Sequence, residues 1–306
     1  MRYTIIDLGS NTVRMSVFEV ENESYRQILS EKETIGLIGY TDKGVLSPDG
    51  ILRVTETIET FCNTSRAIGV EQLYCFATAG LRSIKNAAEI VDKVEAQTGI
   101  HIQVISGEEE ARLDFIGAFH PQDIAEGLLV DMGGGSTELV NYKNCGIEKA
   151  VSLPFGSLNL YKRFVSKVLP NKDEKEQITE FAKKQFAFVD WLPESAEHLL
   201  LIGGTGRAIA RLHRELYGRE EEALQGYTFN TEDYAKLLTF VAEEKKRAIR
   251  GILRVSPERI HTIVPGLIVF SQLVELAGCK TASVSRTGVR EGYLKEYVLK
   301  KGPQSV

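Results

Sequence analysis

Two stretches of this chain share one design, and that design restricts the folds open to it. "TIIDLGSNTVRMSVFEV" (Thr4 to Val20) and "LLVDMGGGSTELV" (Leu128 to Val140) each carry a short apolar run that ends on an aspartate. A turn of small residues follows, and then apolar residues resume. Apolar runs this short, bounded by Gly, Ser and Asn, read as strands, so each stretch predicts a β-hairpin. A dinucleotide fold fits these turns poorly, because its glycines lead from a strand into a helix, whereas "STELV" is β-like. Two hairpins of one plan, less than half the chain apart, predict two domains built alike.

The segments between them alternate in the manner of an α/β protein. "YRQILSEKETIGL" supplies a third strand. A helix start signal at Ser47-Pro48-Asp49 opens a helix ending near Gly69. "QLYCFATAG" reads as a buried strand, "NAAEIVDKVEAQTG" as an amphipathic helix, "IHIQVIS" as a strand and "GEEEARLDFIGAF" as a helix with acids in its first turn. After the second hairpin come "IEKAVSLPFG", a charged helix over 172–190, a strand "HLLLIGG" and a helix at "GRAIARLHREL". Helical segments near 231–249 and 265–278 and a closing strand–turn–helix complete the series, with 301–306 expected to fray.

A chain of 306 residues favours two domains over one. Its net charge of −5 supplies no global attraction for DNA or any polyanion, so such a ligand needs a local basic patch. Cys62, Cys75, Cys145 and Cys279 form no CxxC and read as reduced packing residues. His101, His120, His198, His213 and His261 show neither metal spacing nor a His-Asp pair. The apolar run at the N-terminus is broken by Asp7, and no stretch reaches 18 uncharged apolar residues. A cytoplasmic protein without membrane contact is expected.

Glycines at a hairpin turn let phosphate oxygens approach backbone N–H groups that side chains would otherwise cover. Asp131 and Glu138 flank the second turn, and Mg²⁺ needs only one or two carboxylates besides phosphate and water. A Gly-rich hairpin with no ligand is the alternative; the flanking acids and the partner turn at Asp7 favour a site. "LLLIGGTGRAIARL" offers a second cradle at Gly204 and Gly206, for which tight strand–helix packing is an equal explanation.

Six stretches in order, "IDLGSNTVRM", "ATAGLR", "VISGEEEAR", "VDMGGGSTELV", "IGGTGR" and "SRTGVREG", run from residue 6 to 292. Through them the chain resembles the exopolyphosphatase/guanosine pentaphosphate phosphohydrolase (Ppx/GppA) family of the actin–Hsp70–sugar kinase superfamily. The resemblance implies two ribonuclease H-like domains with an interdomain cleft: 1–125, joined by the last helix at about 290–306, and 126–289. It implies cleavage of terminal phosphoanhydride bonds with water and Mg²⁺, Mn²⁺ being the alternative metal. Glu110, directly before Ala-Arg, matches the general base; Glu108 and Glu109 have less claim. Arg82 matches an arginine facing the phosphate. Asp131, Glu138 and Asp7 match acids lining the metal side of the cleft. Asn11, Thr12, Gly133, Gly134, Gly135, Ser136, Gly204, Thr205 and Gly206 match the phosphate-binding turns.

This chemistry suits the bond. A phosphoanhydride is anionic, so catalysis consists of positioning and charge stabilisation. Polyphosphate is the first substrate expected; guanosine pentaphosphate or ATP is the alternative, and a non-catalytic nucleotide or polyphosphate sensor is the rival outside enzymes. Long family members add a C-terminal HD-type region. This chain stops after the core, which puts processive grip and the dimer contacts of that region in question, while a homodimer is still allowed. The lysines of the 172–190 helix (Lys172, Lys175, Lys183, Lys184) read first as a solvated face and second as a polyphosphate track. Arg286 and Arg290 are expected nearer the cleft.

Overall fold

A computed structural model describes residues 1–22, 24–120, 124–192 and 196–300. The chain forms two compact units, one of Met1–Glu110 joined by the segment from Tyr293, the other of Ala111–Gly292.

In the first unit β1 (Arg2–Leu8), β2 (Thr12–Glu21) and β3 (Ser24–Thr34) form an antiparallel meander. A small hairpin, β4 (Thr41–Asp42) and β5 (Val45–Leu46), leads to α1 (Pro48–Ala67). The Ser47 Oγ accepts from the Gly50 N–H at 3.3 Å, and Pro48 occupies the first helical position. Next come β6 (Gln72–Ala77), the short α2 (Ala79–Arg82), α3 (Ala87–Thr98), β7 (Ile102–Val104) and α4 (Gly107–Ala118). The sheet order is β3-β2-β1-β6-β7, with β6 parallel to both β1 and β7. Ile6, Leu8, Met15 and Val17 bury against Val54, Ile58 and Phe61 of α1.

The second unit repeats this plan. β8 (Gly127–Met132), β9 (Thr137–Lys143) and β10 (Gly146–Leu153) form the meander, followed by α5 (Ser157–Phe164) and α6 (Lys172–Phe186). β11 (His198–Ile202), α7 (Gly203–Tyr217), β12 (Thr228–Asn230), α8 (Asp233–Glu243), α9 (Lys245–Val255), α10 (Ile263–Ala277), β13 (Thr281–Val284) and α11 (Val289–Tyr293) complete it. The order is β10-β9-β8-β11-β13-β12, with β8, β11 and β13 parallel. β11 is apolar on both faces because helices cover a parallel sheet on both sides. These are the two ribonuclease H-like sheets expected from the sequence.

Three readings change. The helical stretch expected near 231–249 is two helices, broken at Glu244, the second reaching Val255. The charged helix stops at Phe186. A His-Asp pair does exist: His213 on α7 lies 3.1 Å from Asp233 through Nε2 and 2.8 Å from the Tyr227 hydroxyl through Nδ1. Its partners are 14 and 20 residues away, beyond the range of any local spacing rule. The expected fraying of 301–306 lies outside the described residues.

Candidate active site

All three parallel strands of the first unit deliver residues of interest at their C-terminal ends, where ligands of open α/β sheets bind. β1 ends beside Asp7 and runs into the turn Gly9–Asn11. The Gly9 N–H donates to the Thr12 carbonyl at 3.0 Å, and the Asn11 carbonyl accepts from Ile35 and Gly36, both at 3.0 Å, so the turn is held from both sides. β6 ends at α2, which packs directly on this turn. A side chain at Gly80 would come within 2.5 Å of the Gly9 carbonyl oxygen, so only glycine permits the approach. α2 carries Arg82.

β7 leads into α4 and its three glutamates. They are not equivalent. Glu108 is exposed. Glu109 accepts a hydrogen bond from the Tyr297 hydroxyl, and its own N–H donates to Ser106 Oγ at 3.1 Å. Glu110 is buried at 8% exposure and forms an ion pair of 2.9 Å with Arg82 Nη1. The same nitrogen donates to the Ile105 carbonyl at 3.3 Å. The geometry thus separates Glu110 from its neighbours and joins it to Arg82. The guanidinium fixes the carboxylate's orientation and balances its charge in a half-buried setting.

In the second unit Asp131 and Glu138 are directly opposite residues of β8 and β9. Directly opposed side chains lie on the same face of a sheet, so two carboxylates are set side by side. Glu138 is 1% exposed and accepts from the Ser152 hydroxyl at 2.7 Å. The Gly133 N–H closes the turn on the Ser136 carbonyl at 3.0 Å. The turn's outward carbonyls are committed to α5: Gly133 accepts from Ser157, and Gly134 from Leu158 and Asn159. Gly156 makes this possible, since a Cβ there would lie 2.5 Å from the Gly134 carbonyl carbon.

The second glycine cradle divides into parts. Gly203 has φ +65° and faces the Asp131 carboxylate where a Cβ would stand, so two separate demands require glycine. Gly204 is covered by the Arg259 guanidinium. Thr205 and Gly206 serve the protein's interior. The Thr205 hydroxyl, fully buried, donates to the Met132 carbonyl at 2.7 Å, and a Cβ at Gly206 would lie 3.0 Å from the Leu201 Cβ on β11. Thr205 therefore ties the helix to the first glycine turn, and its hydroxyl is not directed at a ligand.

The structure gathers Asp7, Asn11, Thr12, Arg82 and Glu110 at one end of the first sheet. It gathers Asp131, Gly133–Ser136, Glu138 and Gly204 at the corresponding end of the second. Sequence reasoning missed Gly80, Gly156, Gly203, Ser152 and Arg259. Gly203 was legible, since it adjoins Gly204 at the end of an apolar strand; Arg259, in a 3₁₀ turn after α9, carried no local signal. Among the described residues no group of three or more His, Cys, Asp or Glu forms a metal cage. No helix among them is long and apolar enough to cross a membrane.

The sequence profile of the Ppx/GppA phosphatase family matches residues 16–301. The chain belongs to the Ppx/GppA phosphatase family. It is 28% identical to a bifunctional 3-dehydroquinate synthase/phosphatase of Fusobacterium nucleatum, matching 97% of this chain and 46% of that protein. The chain therefore spans about half the length of that relative. It is 25% identical to exopolyphosphatase 1 of Mycobacterium tuberculosis over 96% of this chain and 87% of that one. The crystal structure of an Aquifex aeolicus Ppx/GppA family member aligns with a TM-score of 0.82 at 27% identity, covering 99% of both chains. An exopolyphosphatase of Cytophaga hutchinsonii shares the fold at 22% identity and a TM-score of 0.83. A phosphatase family and a two-sheet α/β fold are thereby fixed for this chain.

Proposed function

We propose that this phosphatase hydrolyses the terminal phosphoanhydride bond of inorganic polyphosphate with Mg²⁺, releasing orthophosphate, and that Glu110 is its general base. The observation that carries the reading is the Arg82–Glu110 pair: one buried carboxylate, singled out from three, oriented by a permanent cation at the end of a sheet. The matches to proteins named exopolyphosphatase support the substrate class.

In this reading Glu110 orients a water molecule and takes its proton as the oxygen attacks the terminal phosphorus. The bridging P–O bond breaks, its electron pair leaves with the shortened chain, and the terminal phosphoryl departs as orthophosphate. Arg82 holds the carboxylate in place beside the charge that develops. The N–H groups of Asn11, Thr12 and Gly134–Ser136 and the N-terminus of α7 at Gly204 bind phosphate oxygens, while the Gly133 N–H holds the turn closed. Asp131 and Glu138 suit a hard cation: two adjacent carboxylates, with no larger metal cage among the described residues, are a donor set Mg²⁺ accepts when water and phosphate complete its shell. Bound there, the metal would neutralise phosphate charge; Mn²⁺ has the same ligand preference. Gly203 keeps the space beside Asp131 clear of any side chain.

The test is phosphate release from long polyphosphate, short polyphosphate, guanosine pentaphosphate and ATP, side by side, with and without Mg²⁺. Metal-dependent release from polyphosphate, faster than from either nucleotide, is expected. Faster release from guanosine pentaphosphate would transfer the assignment to the nucleotide, and binding without release from any of the four would make the chain a sensor.

A further inference from the structure

Charge is distributed very unevenly over the second unit. The chain as a whole is at −5, yet residues 245–259, "KKRAIRGILRVSPER", hold six cations against one acid. The eleven residues that follow Glu244 form α9, whose apolar side is occupied: Ala248, Gly251 and Ile252 are buried, and Gly251 lies against Leu212 of α7. Lys245, Lys246, Arg247, Arg250 and Arg254 are all exposed. Arg247 pairs with Glu244, and Arg254 with Glu215 of α7. No ion pair or hydrogen bond engages Lys245, Lys246 or Arg250 among the described residues.

Lys246, Arg250 and Arg254 recur every fourth residue and so share one stripe of the helix. At 1.5 Å per residue that stripe is about 12 Å long. The chain then leads, within five residues, to Arg259, whose guanidinium covers Gly204 at the start of α7. At the far end the cations crowd. Lys175 of α6 holds its proton less tightly than an ordinary lysine because it is partly buried and because the Lys245 charge is close. Glu174 offsets part of this charge at Lys245, and Glu244 part of it at Arg247, whereas Lys246 and Arg250 have no acid partner among the described residues and are available to an anion.

Resting on the polyphosphate reading above, we propose that the exposed face of α9, through Lys246 and Arg250 and extending to Lys175 and Lys245, binds the distal phosphates of a long polyphosphate chain whose end lies at Gly204 and Arg259. α9 then determines chain-length preference without taking part in bond cleavage. Other polyanions fit less well. α9 has no aromatic residue on which a nucleobase would stack. Its one exposed large apolar residue is Leu253, too little for a membrane surface that requires an apolar face.

The experiment compares the wild type with Lys246→Glu/Arg250→Glu and with the charge-conserving Lys246→Arg/Arg250→Lys. It measures equilibrium binding of long-chain polyphosphate, of tripolyphosphate and of a single-stranded RNA of matched charge, together with KM and kcat on both polyphosphates. The charge-reversal variant is expected to bind long chains about tenfold more weakly, the scale of a few exposed charge contacts. Its salt dependence of binding should also be shallower. Tripolyphosphate affinity should move less than twofold and kcat on either chain should hold, while the conserving variant behaves as wild type. Unchanged long-chain affinity, an equal loss for tripolyphosphate, or RNA bound as tightly as polyphosphate would overturn the proposal. If the wild type releases no phosphate but loses long-chain binding on charge reversal, the α9 site stands and the hydrolytic reading fails.

Discussion

The two hairpins that first marked this chain are alike in outline and unlike in charge. In the first, Asp7 stands across the ladder from Arg14; in the second, Asp131 stands across from Glu138. An aspartate facing an arginine already has a cation on its side of the sheet. An aspartate facing a glutamate brings two negative charges to the same face, and such a pair is stable only with a proton, hydrogen-bond donors or a cation to offset it. One backbone plan, used twice, thus produces two different electrostatic settings. We infer that the metal side of the chemistry belongs to the second hairpin, and that Asp7, grouped by resemblance with the metal acids, has a neutralised, structural setting. In the proposed reading the first unit contributes the Arg82–Glu110 ion pair as the group that handles water.

This division of labour can be broken at several points. The largest effect is expected from Glu110→Gln, which keeps the shape and removes the basic oxygen. Turnover should fall by about 10²–10⁴-fold, the usual worth of a positioned base. Binding of polyphosphate should persist; near-normal phosphate release would remove Glu110 from the mechanism.

Gly203→Ala separates shape from charge in the second unit. It combines a left-handed backbone with a steric encounter at Asp131, whereas Gly218, with the same φ of +65°, has nothing within 4 Å of a Cβ. Alanine at 218 should cost only the backbone strain of about 1 kcal/mol. Alanine at 203 should cost more and also weaken metal activation. Equal denaturation midpoints for the two variants would show that Asp131 does not press on Gly203.

A smaller effect is expected for Arg82→Ala, in which Glu110 loses its ion-pair partner. Phosphate affinity and turnover should both drop, and the affinity difference from wild type should narrow as salt screens the lost charge. A difference constant across ionic strength would show that the arginine acts through packing.

The smallest is a pH effect on stability at the buried His213–Asp233 pair. Burial pushes the His213 imidazole below its ordinary 6.5, outweighing the attraction of Asp233. The unfolded chain therefore binds more protons than the folded one below that value. The contribution is complete above about 6.5 and is lost as pH falls. Burial pushes the Asp233 carboxyl up, but hydrogen bonds from Lys236, His213 and Tyr217 outweigh it and leave it below its ordinary 3.8. Its contribution is present above that value and fades at lower pH, so both groups favour the folded state at neutral pH. Melting temperature should decline between pH 7.5 and 5.5, and less so in His213→Gln; an identical decline in both proteins would assign the pH dependence elsewhere.

Much of the architecture was legible because it is local. Short apolar runs bounded by turn residues marked the strands around Asp7 and Asp131, and Ser47-Pro48 marked a helix start. Gly99, in a left-handed conformation, ends α3 as its position after "EAQT" suggested. The candidate site was legible only in part. Glu110 could be distinguished from Glu108 and Glu109 by resemblance, but its physical distinction, burial against Arg82, depends on a contact 28 residues away. Thr205 read as a phosphate ligand because it follows two glycines; its hydroxyl instead donates to the Met132 carbonyl, a contact 73 residues away in the chain. The break at Glu244 escaped notice because the apolar period continues across it. Arg259 and the His213–Asp233 pair arise from tertiary packing, which no window of sequence contains.

The contrast between the hairpins is tested most directly by a Mg²⁺ titration of phosphate release from polyphosphate, run on Asp131→Ala and Asp7→Ala beside the wild type. Loss of a metal-holding carboxylate should raise the half-activating Mg²⁺ concentration at least about tenfold in Asp131→Ala. In Asp7→Ala the midpoint should stay near that of the wild type. A wild-type midpoint in Asp131→Ala, or an equal displacement in both variants, would contradict the assignment of the metal to the second hairpin.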